Sequence, residues 1–250
     1  MRNRSLLLLT CLIAPSIFGQ QSPRAKPAAP TGQKEVHEYL HDQSDWWASD
    51  WPDNLEDTIK TQERELPASS LQILGIDLAE DMFFRAAARL GKVTIVDRGD
   101  GSAGRAQACY VSAQEGEKVH LVFEQGEVDY GFYLFTGGAD WYGSHRCATS
   151  KLVSPNVSTR SGLHLGQSPS EVVAILGKPS LRRGDELFYS LHATKKSSAE
   201  DMKKIKQWHP EMTGQDIQES YGVYDLGESL HAKFVDSKMT YLSVLTTETN

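Results

Sequence analysis

The sequence predicts an α+β protein built from two tandem units, each a helix followed by antiparallel strands. Three observations predict it: a cap-helix-glycine pattern that occurs twice, a strand-turn-strand pattern that also occurs twice, and an amino-terminal stretch with the composition of an export signal. The expected organisation is a signal peptide over 1–19, a Pro/Ala-rich linker over 20–32, an N-terminal helical segment over 33–71, a first unit over 72–154, and a second over 155–250 with a helical insertion at 193–222.

The signal comes first. Arg2 and Arg4 precede the apolar run "LLLLTCLIA", and Gly19 stands at a plausible cleavage point. That run is too short to cross about 30 Å of hydrocarbon as a helix, and no later stretch of about eighteen apolar residues exists, so no transmembrane segment is expected. Thr10 precedes Cys11 where a lipoprotein site wants a small residue, which argues against a lipid anchor. Localisation is therefore expected in the periplasm, outer envelope or extracellular space. Losing Arg2 and Arg4 makes the formal net charge of −7 more negative by two. An acidic chain without a long basic run argues against nucleic acid as the partner. Only Cys109 and Cys147 remain after processing, and in an oxidising compartment an isolated pair reads as a disulfide.

Next is "KEVHEYLHDQSDWW", residues 34–47. Val36, Tyr39, Leu40, Trp46 and Trp47 fall in one arc of roughly 120° at helical spacing, which predicts a helix with one docked stripe. His37, Glu38 and His41 have the H-E-x-x-H spacing of zinc metallopeptidases, where a helix brings both imidazoles to one metal. They lie outside the apolar stripe, with charged Glu35 and Asp42 beside them and no obvious third ligand, and so read as an exposed pair of helical histidines.

The two units share a grammar. "LGID" at 74–77 with Glu80 is followed by "LGK" at 90–92; "LGQS" at 165–168 with Glu171 is followed by "LGK" at 176–178. Asp77 and Ser168 are expected as N-caps, with Glu80 and Glu171 as capping-box partners and Pro169 in the first turn. Gly91 and Gly177 are expected to end the helices. Downstream, "CY" at 109–110 parallels "FY" at 188–189, and "VHLVFEQGEVDY" at 119–130 parallels "LHAKFVDSKMTY" at 230–241, so each unit should hold a hairpin. His120 and His231 fall opposite the apolar alternation and are expected on a solvent-facing row. Gly99, Gly101 and Gly104 have G-x-G-x-x-G spacing, but the β-prone "RAQACYVSA" follows rather than a helix, so they read as a hairpin turn and no cofactor is expected. In the insertion, Met202, Ile205 and Trp208 recur at helical spacing among lysines, predicting an added surface helix.

Taken together, "GLHLGQSPSEVVAILGKPSLRRGDELFYSL" and "SLHAKFVDSKMTYLSVL" resemble the SmpA/OmlA-type module, and two copies in one exported chain resemble the tandem β-lactamase-inhibitory-protein-like (BLIP-like) architecture. The resemblance covers roughly residues 72–250. It implies helices packed on antiparallel sheets and a non-enzymatic role, binding another envelope or extracellular protein or serving structurally. Independent inspection finds no G-x-S-x-G and no paired carboxylates distinct from surface acids. The rival reading is a secreted zinc metallopeptidase using His37, Glu38 and His41. For a partner-binding surface the candidates are aromatic: Tyr133 and Phe135 on one strand face opposite Phe132 and Leu134, Trp141 and Tyr142 beyond a Gly-Gly turn, and Trp51.

Overall fold

The computed structural model describes the backbone of residues 37–41, residue 55, and residues 58–98, 104–137 and 147–249. The expected signal and linker, the glycine turn after residue 98, Trp51, Trp141 and Tyr142 lie outside the described residues. The fold is α+β, with four α-helices among the described residues and one large sheet.

Strands β1 (His37–His41) and β2 (Gln62–Glu63) come first, followed by a 3-10 turn over Ala68–Leu71 and a miniature hairpin of β3 (Gln72–Ile73) and β4 (Ile76–Asp77). Helix α1 (Met82–Leu90) leads into a meander of β5 (Val93–Arg98), β6 (Arg105–Ser112), β7 (Lys118–Gln125) and β8 (Asp129–Gly137). After β9 (Ala148–Ser150), helix α2 (Pro169–Leu176) leads into β10 (Leu181–Arg183) and β11 (Glu186–Lys196). Helices α3 (Ala199–Trp208) and α4 (Gly214–Tyr221) interrupt this second meander before β12 (Val223–Val235) and β13 (Lys238–Thr249).

The strand order is β1-β5-β6-β7-β8-β13-β12-β11-β10, with β9 beside β6 and β2 beside β11. The chain thus writes a helix and four meander strands twice, and the two meanders meet at their last strands. That seam is antiparallel and runs from Asp129↔Thr247 to Phe135↔Tyr241.

One face of the sheet carries the main core. On α1, Met82, Phe83, Ala86, Ala87 and Leu90 form the buried stripe; on α2, Val172 and Leu176 do. All of these except Ala87 belong to the same cluster as Leu121, Phe123, Phe132 and Leu134 of the first meander and Leu187, Tyr189, Leu230 and Leu242 of the second. Each fully buried Phe or Leu here stabilises the fold by roughly 1.5–3 kcal/mol. Both helices are tied to their sheets by the same device: the Tyr110 hydroxyl donates to the Gly91 carbonyl at 3.1 Å, and the Tyr189 hydroxyl to the Gly177 carbonyl at 3.0 Å. Burial pushes the ionisation of both tyrosines up, that of Tyr189 to about 12.

Several local expectations hold. Ser168 and Glu171 form the capping box of α2 with Pro169 at its start. Gly91 and Gly177 follow the helices at φ 107° and 79°, a region glycine enters without a Cβ penalty. Val93–Arg98 and Arg105–Ser112 pair antiparallel across the glycine-rich segment, and both hairpins form.

Four expectations are corrected. Over His37–His41 the chain is a strand, parallel to β5 from His37↔Val93 to His41↔Asp97, rather than part of a helix. A sheet edge offers a row of unpaired amides and carbonyls, and pairing with it overrides a local helical period. Asp77 does not cap α1, which starts at Met82. Leu74 and Gly75, at φ 53° and 75°, turn the chain so that Ile76 pairs with Ile73, and the Asp77 carboxylate accepts from Gln72 at 2.6 Å and Arg85 at 2.8 Å instead. The insertion holds two helices, not one; Thr213 and Asp216 form a capping box for the second. Finally, His120 and His231 are 0% and 1% exposed rather than solvent-facing.

Candidate functional site

Alternation places His120, Val122 and Glu124 of β7 on the sheet face away from the main core. Their cross-strand neighbours are Phe135, Tyr133 and Gly131 of β8. Tyr133 and Phe135 lie on this face, and Phe132 and Leu134, both 0% exposed, lie on the other. Cys109, Val122 and Tyr133 form a second, smaller apolar cluster, against which Phe135, Cys147, Tyr241 and Leu245 pack. Cys109 and Cys147 are disulfide-bonded with Cα atoms 4.5 Å apart, so the bridge fastens residue 147 to this face.

Five rings from five neighbouring strands form a continuous row. Phe188 stacks on His231 at 4.1 Å between centroids; His231 reaches Tyr241 at 5.7 Å; Tyr241 and Phe135 face each other at 6.1 Å across the seam; and Phe135 stacks on His120 at 5.1 Å. Cross-strand aromatic pairs of this kind stabilise a sheet by roughly 0.2–1 kcal/mol each. Phe188, His231 and His120 are buried, while Phe135 and Tyr241, at the middle, are half-buried. The Lys233 ammonium sits 4.8 Å from the Tyr241 ring centre, and the Arg183 guanidinium 5.8 Å from that of Phe188. Burial, reinforced by the charge of Lys118, pushes His120 down to about 4, so its ring is neutral at physiological pH.

Beside the row lies a polar pocket around Glu124, itself 5% exposed. Its carboxylate accepts from the Gln107 amide and from the Tyr133 hydroxyl at 3.2 Å, and Arg105 stands 3.4 Å away. Arg105 also pairs with Asp129 at 2.7 Å, whose other oxygen accepts from Thr247 at 2.6 Å across the seam. Burial raises the Glu124 ionisation; the bonds from Gln107, Arg105 and Tyr133 oppose that rise. The network orients Tyr133 and Arg105 and ties the first meander to the second.

Of the residues singled out from sequence, Tyr133 and Phe135 come together on this face; Trp51, Trp141 and Tyr142 lie outside the described residues. The backbone at His37, Glu38 and His41 is extended. Four residues of strand span about 13 Å, whereas the zinc-peptidase motif relies on one helical turn to converge its two histidines. Among the described residues, no group of three or more His, Cys, Asp or Glu side chains is placed to hold a metal ion. No helix there is long and apolar enough to cross a membrane. Sequence reasoning missed Glu124, Phe188 and Tyr241 as neighbours of the site. The available signal was parity, which puts His120 and Glu124 on one face; the meeting of Phe135 with Tyr241 depends on the seam, which no local pattern encodes. No known protein family, curated protein or solved structure matches this chain.

Proposed function

We propose that the chain is an exported, non-enzymatic protein-binding module of the cell envelope or extracellular space, built from two BLIP-like repeats behind a signal peptide. The observation that carries this reading is the five-ring row, with Phe135 and Tyr241 half-buried at its centre. Rigid aromatic surfaces lose little conformational freedom on contact, which is why such residues dominate binding hot spots. Supporting it, the helix and four-strand order occurs twice in the topology, the tyrosine-to-glycine bond recurs in both halves, and the disulfide suits an oxidising compartment.

The test is affinity capture from an envelope extract by the mature chain, with Phe135→Ala, Tyr241→Ala and the pair Trp141→Ala/Tyr142→Ala alongside. A partner retained by the parent and lost by these variants, at unchanged far-ultraviolet circular dichroism, supports the reading. Capture that is indifferent to all of them removes the aromatic face from the account. The rival, a zinc peptidase, makes a separate prediction: stoichiometric zinc in the mature protein that disappears in His37→Ala/His41→Ala.

A further inference from the structure

Away from the ring row, an open cleft of about 490 Å³ lies between the end of α1, the β3–β4 turn and the loop that precedes α2. Its apolar wall comprises Leu74 and Leu152, the latter 46% exposed. Arg89, Arg160, Asn156 and Ser158 also line it.

Arg85, Arg105 and Arg183 all have carboxylate partners, at 2.8, 2.7 and 3.5 Å respectively. Among the described residues Arg89 and Arg160, like Arg64 and Arg182, have no acidic partner, and of these four arginines only Arg89 and Arg160 line the cleft. Arg89 belongs to the last turn of α1, where the helix dipole favours a cation, and the Arg160 amide is fastened to the Gln72 carbonyl, which fixes the base of the second guanidinium. Two open guanidinium forks beside an exposed leucine suit a planar anion that carries an apolar group. A guanidinium binds a carboxylate through two parallel N–H donors, and an adjoining apolar wall rewards a ligand whose carboxylate adjoins a hydrophobic side chain.

We propose that this cleft binds the carboxylate of an apolar amino-acid residue, as found at the C terminus of a polypeptide or in a free acylated amino acid. It shares no residue with the aromatic row, so the two readings stand or fall separately.

The experiment is titration of the full mature chain, followed by amide chemical shifts, with four probes: N-acetyl-leucine, a pentapeptide ending in leucine with a free carboxylate, the same pentapeptide amidated, and inorganic phosphate. The expected result is saturable shifts at residues 72–75 and 152–160, with Kd on the order of 1 mM for N-acetyl-leucine. Arg89→Gln and Arg160→Gln should each weaken binding at least tenfold with far-ultraviolet circular dichroism unchanged, since both side chains are exposed; Arg89→Gln also gives up its helix-dipole interaction and lowers the melting temperature slightly. Tighter binding of the free-acid pentapeptide than of N-acetyl-leucine assigns the site to polypeptide C termini; equal binding assigns it to small acids. Equal affinity for the amidated peptide, phosphate binding as tightly as either carboxylate, no saturable shift, or indifference to both arginine changes would overturn the proposal.

Discussion

Replacing Tyr110 and Tyr189 by Phe, singly and together, tests whether the two halves are held by one device. Each change removes only a hydroxyl, leaving the buried ring in place. The lost bonds are those to the Gly91 and Gly177 carbonyls, at 3.1 and 3.0 Å. Both glycines are exposed, so water can replace the donor, and the cost sits near the ordinary net value of one hydrogen bond, about 1 kcal/mol. For a chain of this size that corresponds to roughly 2–4 °C in Tm. The tyrosines stand in different meanders, so their effects should add, giving about 2 kcal/mol for the double variant within about 0.5 kcal/mol. Urea unfolding followed by circular dichroism, with the disulfide intact and the slope unchanged, measures all three. A neutral single variant, or a double variant far from the sum, would refute the idea of two equivalent helix-to-sheet ties. The parent also offers an alkaline check. Tyrosine ionisation in the folded state is raised above 10, so this contribution to stability is whole below pH 10 and is lost as pH climbs toward 12 and beyond. Both tyrosines should therefore lag in an absorbance titration at alkaline pH.

Ser168→Ala removes the capping box of α2 and should cost about 1 kcal/mol by thermal melting, with Ser168→Gly milder. Cys109→Ala/Cys147→Ala opens a loop with sequence separation 38 and should lower stability by up to about 4 kcal/mol in denaturant titration; an unchanged midpoint would mean the loop is restrained without the bond. His120, held near 4 against an ordinary 6.5, refuses a proton that the unfolded chain accepts, so its contribution is present above pH 6.5 and declines as pH falls toward 4. The His120 ring-proton signal should stay at its neutral position at pH 5, and a midpoint near 6.5 would contradict the burial argument. Gly131→Ala would set a Cβ 2.9 Å from Leu245 and 3.0 Å from the Val244 carbonyl across the seam, an overpacking expected to cost about 1–3 kcal/mol by the same melts.

What could be read from the sequence was local chemistry. The Ser168-Pro169-Glu171 cap, the glycine stops and the alternation of Val119, Leu121 and Phe123 each depend on neighbours within a few residues, and each is present. Thr213 and Asp216 were equally local and mark the start of α4, a signal overlooked beside the lysine-rich stretch. The failures involve distant partners. Val36, Tyr39 and Leu40 match a helical stripe, but an open edge at β5 selects a strand over His37–His41. Alternation assigned His120 and His231 to the right side of the sheet but carried no information about burial there. Asp77 looks like a cap until Leu74 and Gly75 turn the chain and Arg85 claims its carboxylate. The ring row needs Tyr241 beside Phe135, residues more than a hundred positions apart.

The position of β13 has a consequence for the order in which the protein can assemble. Lys238–Thr249 lies mid-sheet, between β8 and β12, although it comes last among the described strands in chain order. During synthesis, everything through residue 237 can emerge and still leave two half-sheets, each with an exposed backbone edge. Such an edge recruits any extended chain nearby, a second nascent copy included. Two open edges therefore persist until the twelve-residue keystone strand appears, and this non-local closure is expected to make folding slow.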